Sequence, residues 1–140
     1  MSIKSLSILL LAAVLFWPLV ASSQLVVTVA PLKISGNKVV VPLLMRNNFA
    51  EEMESASAVV FLLDEHGNMV GQSTKWVIGG SKKMSSLAAG ETKTFHFVVT
   101  TTKVITTTNL AAKVSFSRVV LQGGKLADVN KDVQIQSAAK

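Results

Sequence analysis

The chain has 140 residues, 49% of them hydrophobic and 16% charged, with a formal charge of +6 at pH 7. That balance is the reverse of a disordered chain's, and the length suits one domain behind a short leader. The lack of cysteine excludes disulfides, thiolate metal sites and thiol catalysis, while His66 and His96 are the only histidines.

The leader is the first element. Lys4 precedes an uncharged run whose apolar centre is Ile8–Phe16, Pro18 interrupts it, and Ala21-Ser22-Ser23 supplies small residues. A positive start, an apolar centre and a small-residue exit describe a helical secretory signal peptide. Cleavage is expected after Ser23, with Ser22 as second choice, which makes residues 1–23 the leader and residues 24–140 the domain. The product would be periplasmic or extracellular. The alternative is an uncleaved anchor, because no charge occurs from Ser5 to Leu32. No second uncharged run of spanning length follows. Loss of Lys4 lowers the net charge by one, and the remaining cations are scattered, with Lys82-Lys83 the only adjacent pair. Nucleic-acid binding is therefore not expected.

Seven extended runs follow. Leu25–Ile34 contains Pro31, and Lys38–Arg46 contains Pro42. A proline cannot donate to a ladder, so each run should be an edge or carry a bulge; on an edge, the prolines would also guard against open-ended pairing. Ser35-Gly36-Asn37-Lys38 turns between them, and Asn47-Asn48 ends the second run. Ala56–Leu63 is the most apolar run, and Val59–Leu63 does not alternate. It is expected to be a central strand covered on both faces, or with one face open to a partner.

Asp64–Asn68 is a hairpin turn, with Gly67 free to take positive φ, and Met69–Ile78 returns. Gly79–Gly90 is a long loop. Glu91–Thr100 alternates, with Phe95, Phe97 and Val99 on one face and Thr94, His96 and Val98 on the other. A threonine-rich connection leads to Leu110–Leu121, where Ala112, Val114 and Phe116 share a face. Gly123-Gly124 turns into Leu126–Ile135, which should be the last strand and an unguarded one. Seven strands without a helix indicate an all-β, immunoglobulin-like antiparallel β-sandwich, with a small barrel as runner-up.

One ordered set of features carries a resemblance. Asn47 ends a strand, Val60-Phe61-Leu62-Leu63-Asp64 precedes Gly67, and Leu87-Ala-Ala-Gly-Glu-Thr-Lys-Thr-Phe95 follows. Over roughly residues 37–99 the chain resembles the bacterial FxLYD-type domains, an immunoglobulin-like family of exported proteins. Val60, Leu63 and Ala89 stand where that family has Phe, Tyr and Pro. The resemblance implies an exported sandwich and brings no catalytic residue with it. Physically, Gly90 permits a turn, Glu91 can accept backbone donors, Phe95 points into the core, and Asp64 can cap the N–H groups of residues 66–67.

Candidate chemistry is sparse. His66 lies beside Asp64 and Glu65, but neighbours in a tight turn diverge, whereas a metal needs three or four convergent ligands. His96 is expected on an exposed strand face. Glu51, Glu52 and Glu54 form an acidic loop without the spacing of a calcium loop. There is no Gly-x-Ser-x-Gly elbow, Gly79-Gly80-Ser81-Lys82 is not a phosphate loop, and no asparagine has Ser or Thr two residues on. No cofactor is indicated. Trp76 shares parity with Ile78 and Val70 and reads as a core residue. The alternative puts it on a partner surface with Lys82, Lys83 and Met84.

These features favour a non-catalytic module that binds a protein or envelope component, as a monomer or weak oligomer. The alternatives are a structural subunit exchanging the Leu25–Ile34 strand, and a metal-binding or hydrolytic protein using His66 and His96.

Overall fold

A computed structural model describes residues 24–80 and 86–138, and each of the seven runs contributes at least one strand. The predicted leader, residues 1–23, and the loop residues Lys82, Lys83 and Met84 lie outside the described residues. Two of the seven runs are broken, so nine strands result. They are β1 (Leu25–Val29), β2 (Lys33–Ser35), β3 (Lys38–Asn47), β4 (Met53–Leu63), β5 (Met69–Ile78), β6 (Thr92–Thr100), β7 (Ala111–Leu121), β8 (Lys125–Leu126) and β9 (Val133–Ser137).

One sheet is ordered β9, then β1 with β2, then β3, then β6; the other is ordered β5–β4–β7–β8. The consecutive strands β3 and β4 lie in opposite sheets. β3 pairs with β6 and β4 with β7, the cross-connected order of an immunoglobulin-like sandwich. Every pairing is antiparallel except β1 with β9, which is parallel. Alternate residues of β3 (Val39, Val41, Leu43, Met45) and β4 (Ala56, Ala58, Val60, Leu62) are buried and fill the space between the sheets.

The prolines are accommodated by a bulge, and the edge reading is corrected. β1 and β2 both run along the same side of β3, while β6 occupies the other side, so β1 and β3 are interior and Pro42 guards no edge, whereas β2, after Pro31, is paired among the described residues with β3 alone. Between Val29↔Leu43 and Lys33↔Val40 the first run advances four residues against three, and Pro31 lies in that extra length. Ala30 N–H donates to the Pro42 carbonyl at 3.0 Å. A strand residue's N–H and C=O point to the same neighbour, so the nitrogen of Pro42, which has no hydrogen, faces the bulge. β1 is held between β3 and β9, with Leu25 and Val27 fully buried. As a donor strand it would first have to leave that place.

The last run is not one strand. Asp128 Oδ1 accepts the N–H groups of Asn130 (3.0 Å) and Lys131 (3.3 Å), and its carbonyl accepts that of Asp132 (2.7 Å). This turn separates β8, which stays beside β7, from β9, which crosses to the other sheet.

Asn47 joins the end of β3 to two loops. It is fully buried. Its side-chain amide donates to the carbonyls of Glu51 and Leu87, each at 3.0 Å, and its side-chain oxygen accepts Phe49 N–H at 2.9 Å. Its backbone N–H donates to Glu91 C=O (2.9 Å), and its C=O accepts Gly90 N–H (2.6 Å). The Glu91 carboxylate accepts Ala88 N–H at 2.9 Å, as expected of it. Leu87, held by this network and by reciprocal backbone bonds with Met53, is fully buried. Phe95 is half-buried and packs against the core.

Replacing Asn47 with alanine removes this partner from the Glu51 carbonyl and the Phe49 N–H, and leaves the buried Leu87 carbonyl with the Met53 N–H alone. Asn47→Ala should lower unfolding free energy by about 2–3 kcal/mol, read as a lower urea midpoint with an unchanged slope.

Candidate binding face

Trp76 is not a core residue, and a bulge is the reason. Ala56 pairs with Ile78, but Ser57 pairs with Trp76, so Val77 is an extra residue in β5. One added residue reverses the alternation of everything beyond it. Ile78 and Val77 are both buried while Trp76 is 43% exposed on the outer face of the sheet. A second skip, between Leu62↔Gly71 and Leu63↔Met69, passes over Val70 and leaves Met69 57% exposed. The parity shared by Trp76, Ile78 and Val70 therefore does not survive folding.

The indole has a fixed seat. Gly80 has φ +83°, and a Cβ there would lie 2.8 Å from Trp76 Cγ. Only glycine provides both the backbone conformation and the room for the ring to lie against the chain.

The outer face of β5–β4–β7 can be read row by row from the register. The rows are Met69–Leu63–Ala111, Gln72–Phe61–Lys113, Thr74–Val59–Ser115 and Trp76–Ser57–Arg118. Val59, Phe61 and Leu63 are half-buried, which resolves the non-alternating run: its inner face is covered and its outer face is open. The face carries two cations, Lys113 and Arg118, and no anion. Among the described residues neither cation is in an ion pair.

The histidines are not brought together. His66 lies at the tip of the β4–β5 hairpin, and His96 is exposed on β6, in the other sheet, opposite Pro42. Glu65 is 3.8 Å from His66 Nε2 but also accepts the Thr107 hydroxyl at 3.0 Å. Among the described residues no three His, Asp or Glu side chains converge as a metal site. The three loop glutamates diverge: Glu51 pairs with Lys125 (3.2 Å), Glu52 accepts the Ser86 hydroxyl (3.0 Å), and Glu54 is exposed.

A cleft of about 450 Å³ separates the hairpin turn from the threonine-rich connection, with Asp64, Glu65, Met69 and Thr102 among its walls. Both carboxylates there already hold backbone or hydroxyl donors. Asp64 Oδ1 accepts the N–H groups of His66 and Asn68, each at 2.9 Å, while Gly67 N–H turns to the Asp64 carbonyl at 3.0 Å. The cap therefore covers residues 66 and 68 instead of 66 and 67. The bond from Asn68 N–H is the main cause holding the Asp64 carboxyl below its ordinary value of 3.8.

No protein-family model matches the chain, and no curated protein matches it either. No helix among the described residues is long and apolar enough to cross a membrane.

Two outcomes follow from this geometry. Gly80→Ala should displace the Trp76 indole N–H resonance and cost about 1 kcal/mol or more in stability. Because the Asp64 pKa is lowered in the folded chain, its contribution is complete above pH 3.8 and lost as pH falls through the lowered value. The Asn68 amide resonance should therefore titrate with a midpoint below 3.8, and Asp64→Asn should abolish that titration.

Proposed function

We propose that the chain is an exported, non-catalytic immunoglobulin-like module that binds a protein partner through the outer face of β5–β4–β7. The observation that carries this reading is Trp76, seated on Gly80 and exposed one row from Val59, with Phe61 and Leu63 further along the same face. Large aromatic side chains on a rigid sheet are the residues that most often dominate binding energy, and covering such side chains is worth roughly 1.5–3 kcal/mol each. The loop residues Lys82, Lys83 and Met84, which follow Gly80 in the chain, would extend the contact.

The resemblance of residues 37–99 to FxLYD-type domains brings no catalytic residue with it and supports export. So does the leader pattern of residues 1–23, whose removal would release the domain into the periplasm or outside the cell. The employment of Asp64, Glu65 and Glu91 in structural bonds supports a role without catalysis.

A photo-crosslinking residue at position 61 or 76 should yield a discrete adduct in cells expressing the precursor. The same residue at exposed Thr94, in the other sheet, should yield none. Adducts from position 94 alone, or from none of the three, would overturn the assignment of the face. Intact mass of the exported product should begin at Gln24, and a full-length chain in the membrane fraction would overturn the export reading.

A further inference from the structure

The two open sides of the sandwich differ. On one side, β5 faces β6, and Lys75 crosses the gap. Its ammonium donates to the Val98 carbonyl on the outward edge of β6 and lies 5.6 Å from the centre of the Phe97 ring. On the other side, β7 faces β9, and no hydrogen bond or ion pair among the described residues joins them. β8 covers only Val120 and Leu121, with one further bond from Ala127 N–H to Val119 C=O. Among the described residues, nothing pairs with the β7 edge from Ala111 to Arg118, a length of eight residues.

The groups this edge presents follow from the alternation of the ladder. Asp64 N–H bonds across to Asn68, so the even residues of β4 face β5 and the odd ones face β7. Val59, Phe61 and Leu63 therefore exchange bonds with β7 through Ser115, Lys113 and Ala111. Ala112, Val114 and Phe116 direct their N–H and C=O groups away from β4. Their side chains point inward, and Val114 and Phe116 are each 7% exposed where most core residues are at 0%. Val133 and Ile135 of β9 pack half-buried against the same core. The slot has open donors, open acceptors and an apolar floor.

Lys113 and Arg118 decide what fills it. They stand on the outer face of β7, one at each end of the open edge. Two-fold antiparallel pairing with a second copy would bring Lys113 of each copy onto the same face as Arg118 of the other, and like charges across a pair of strands repel. An added strand with acidic residues on that face would instead meet both cations.

We infer that the β7 edge is a strand-addition site for an extended segment of a partner protein, about eight residues long. Apolar side chains alternate toward Val114 and Phe116, and acidic side chains alternate toward Lys113 and Arg118. The main chain supplies affinity and the alternating side chains supply selection. The site shares Lys113 and Arg118 with the outer face, but its main-chain bonds lie on the β7 edge and do not depend on Trp76.

The test uses the product isolated from cells expressing the full precursor. The probes are two synthetic eight-residue peptides, one alternating valine with glutamate and the other alternating valine with lysine. The glutamate peptide should bind at least tenfold more tightly and slow amide exchange at Ala112, Val114 and Phe116. Lys113→Glu with Arg118→Glu should reverse the preference, and Trp76→Ser should leave it intact. Equal binding of both peptides, no binding, or protection elsewhere would overturn the inference. So would a sedimentation-equilibrium dimer that shields the β7 amides, because a second copy would then occupy the edge. Loss of the preference in Trp76→Ser alone would place the peptide on the outer face and assign the effect to that surface instead.

Discussion

Asn47 is the residue on which the closed end of the sandwich depends. A strand that simply stopped at the core boundary would leave its last polar groups buried and unpaired, at about 1–3 kcal/mol each. Asn47 avoids this with five hydrogen bonds that gather the end of β3, the 49–51 loop and the segment from Leu87 to Glu91. Those bonds let Leu87 enter the core and let its backbone pair with Met53 at the start of β4. They also fix where β6 begins, since Gly90 and Glu91 bond directly to the Asn47 backbone. The Asn-ended strand and the Leu-x-x-Gly-Glu element thus have one physical meaning. They are the two halves of a single buried polar junction.

From that end the register of the second sheet is propagated with interruptions. β4 and β7 skip a residue near Glu54 and again near Ser117, and β4 and β5 skip Val77 and Val70. Each skip exchanges inner and outer faces for all that follows. The exposed position of Trp76 is a product of one such skip. Residues 74–78 contain no glycine or proline to mark it. The neighbouring Gly79-Gly80 was the available hint, since consecutive glycines after a strand accommodate a ring or a backbone that a Cβ would displace.

Local features were legible, and choices between distant partners were not. All seven runs, the turn at Gly36, the hairpin at Gly67 and the alternation of β6 follow from residues close together in sequence. The inner face of β7 was equally readable from Ala112, Val114 and Phe116. Pro31 and Pro42 correctly signalled a missing donor, but not that Pro42 would face the bulge that holds Pro31, with Ala30 N–H bonded to its carbonyl. The split of the final run was written in Asp128 and Asp132, whose carboxylates cap a turn, yet the intervening apolar Val129 made the segment look continuous. Which sheet β9 joins is settled by contacts with β1, more than a hundred residues away in the chain.

That last choice has a structural consequence. Two edges compete for one strand. If β9 continued from β8 along β7, the second sheet would gain a strand, and β1 would be left with the N–H and C=O groups of its odd residues open beside the fully buried Leu25 and Val27. Because the Asp128 turn carries the chain across, β1 is covered on both sides and β7 is left open instead. The open edge is moved from a strand with two fully buried side chains to one flanked by Lys113 and Arg118, where like-charged copies repel. The same two cations that keep this edge from pairing with its own kind bias it toward a strand of opposite charge. Protection against self-association and selection of a partner are, at this edge, one electrostatic property.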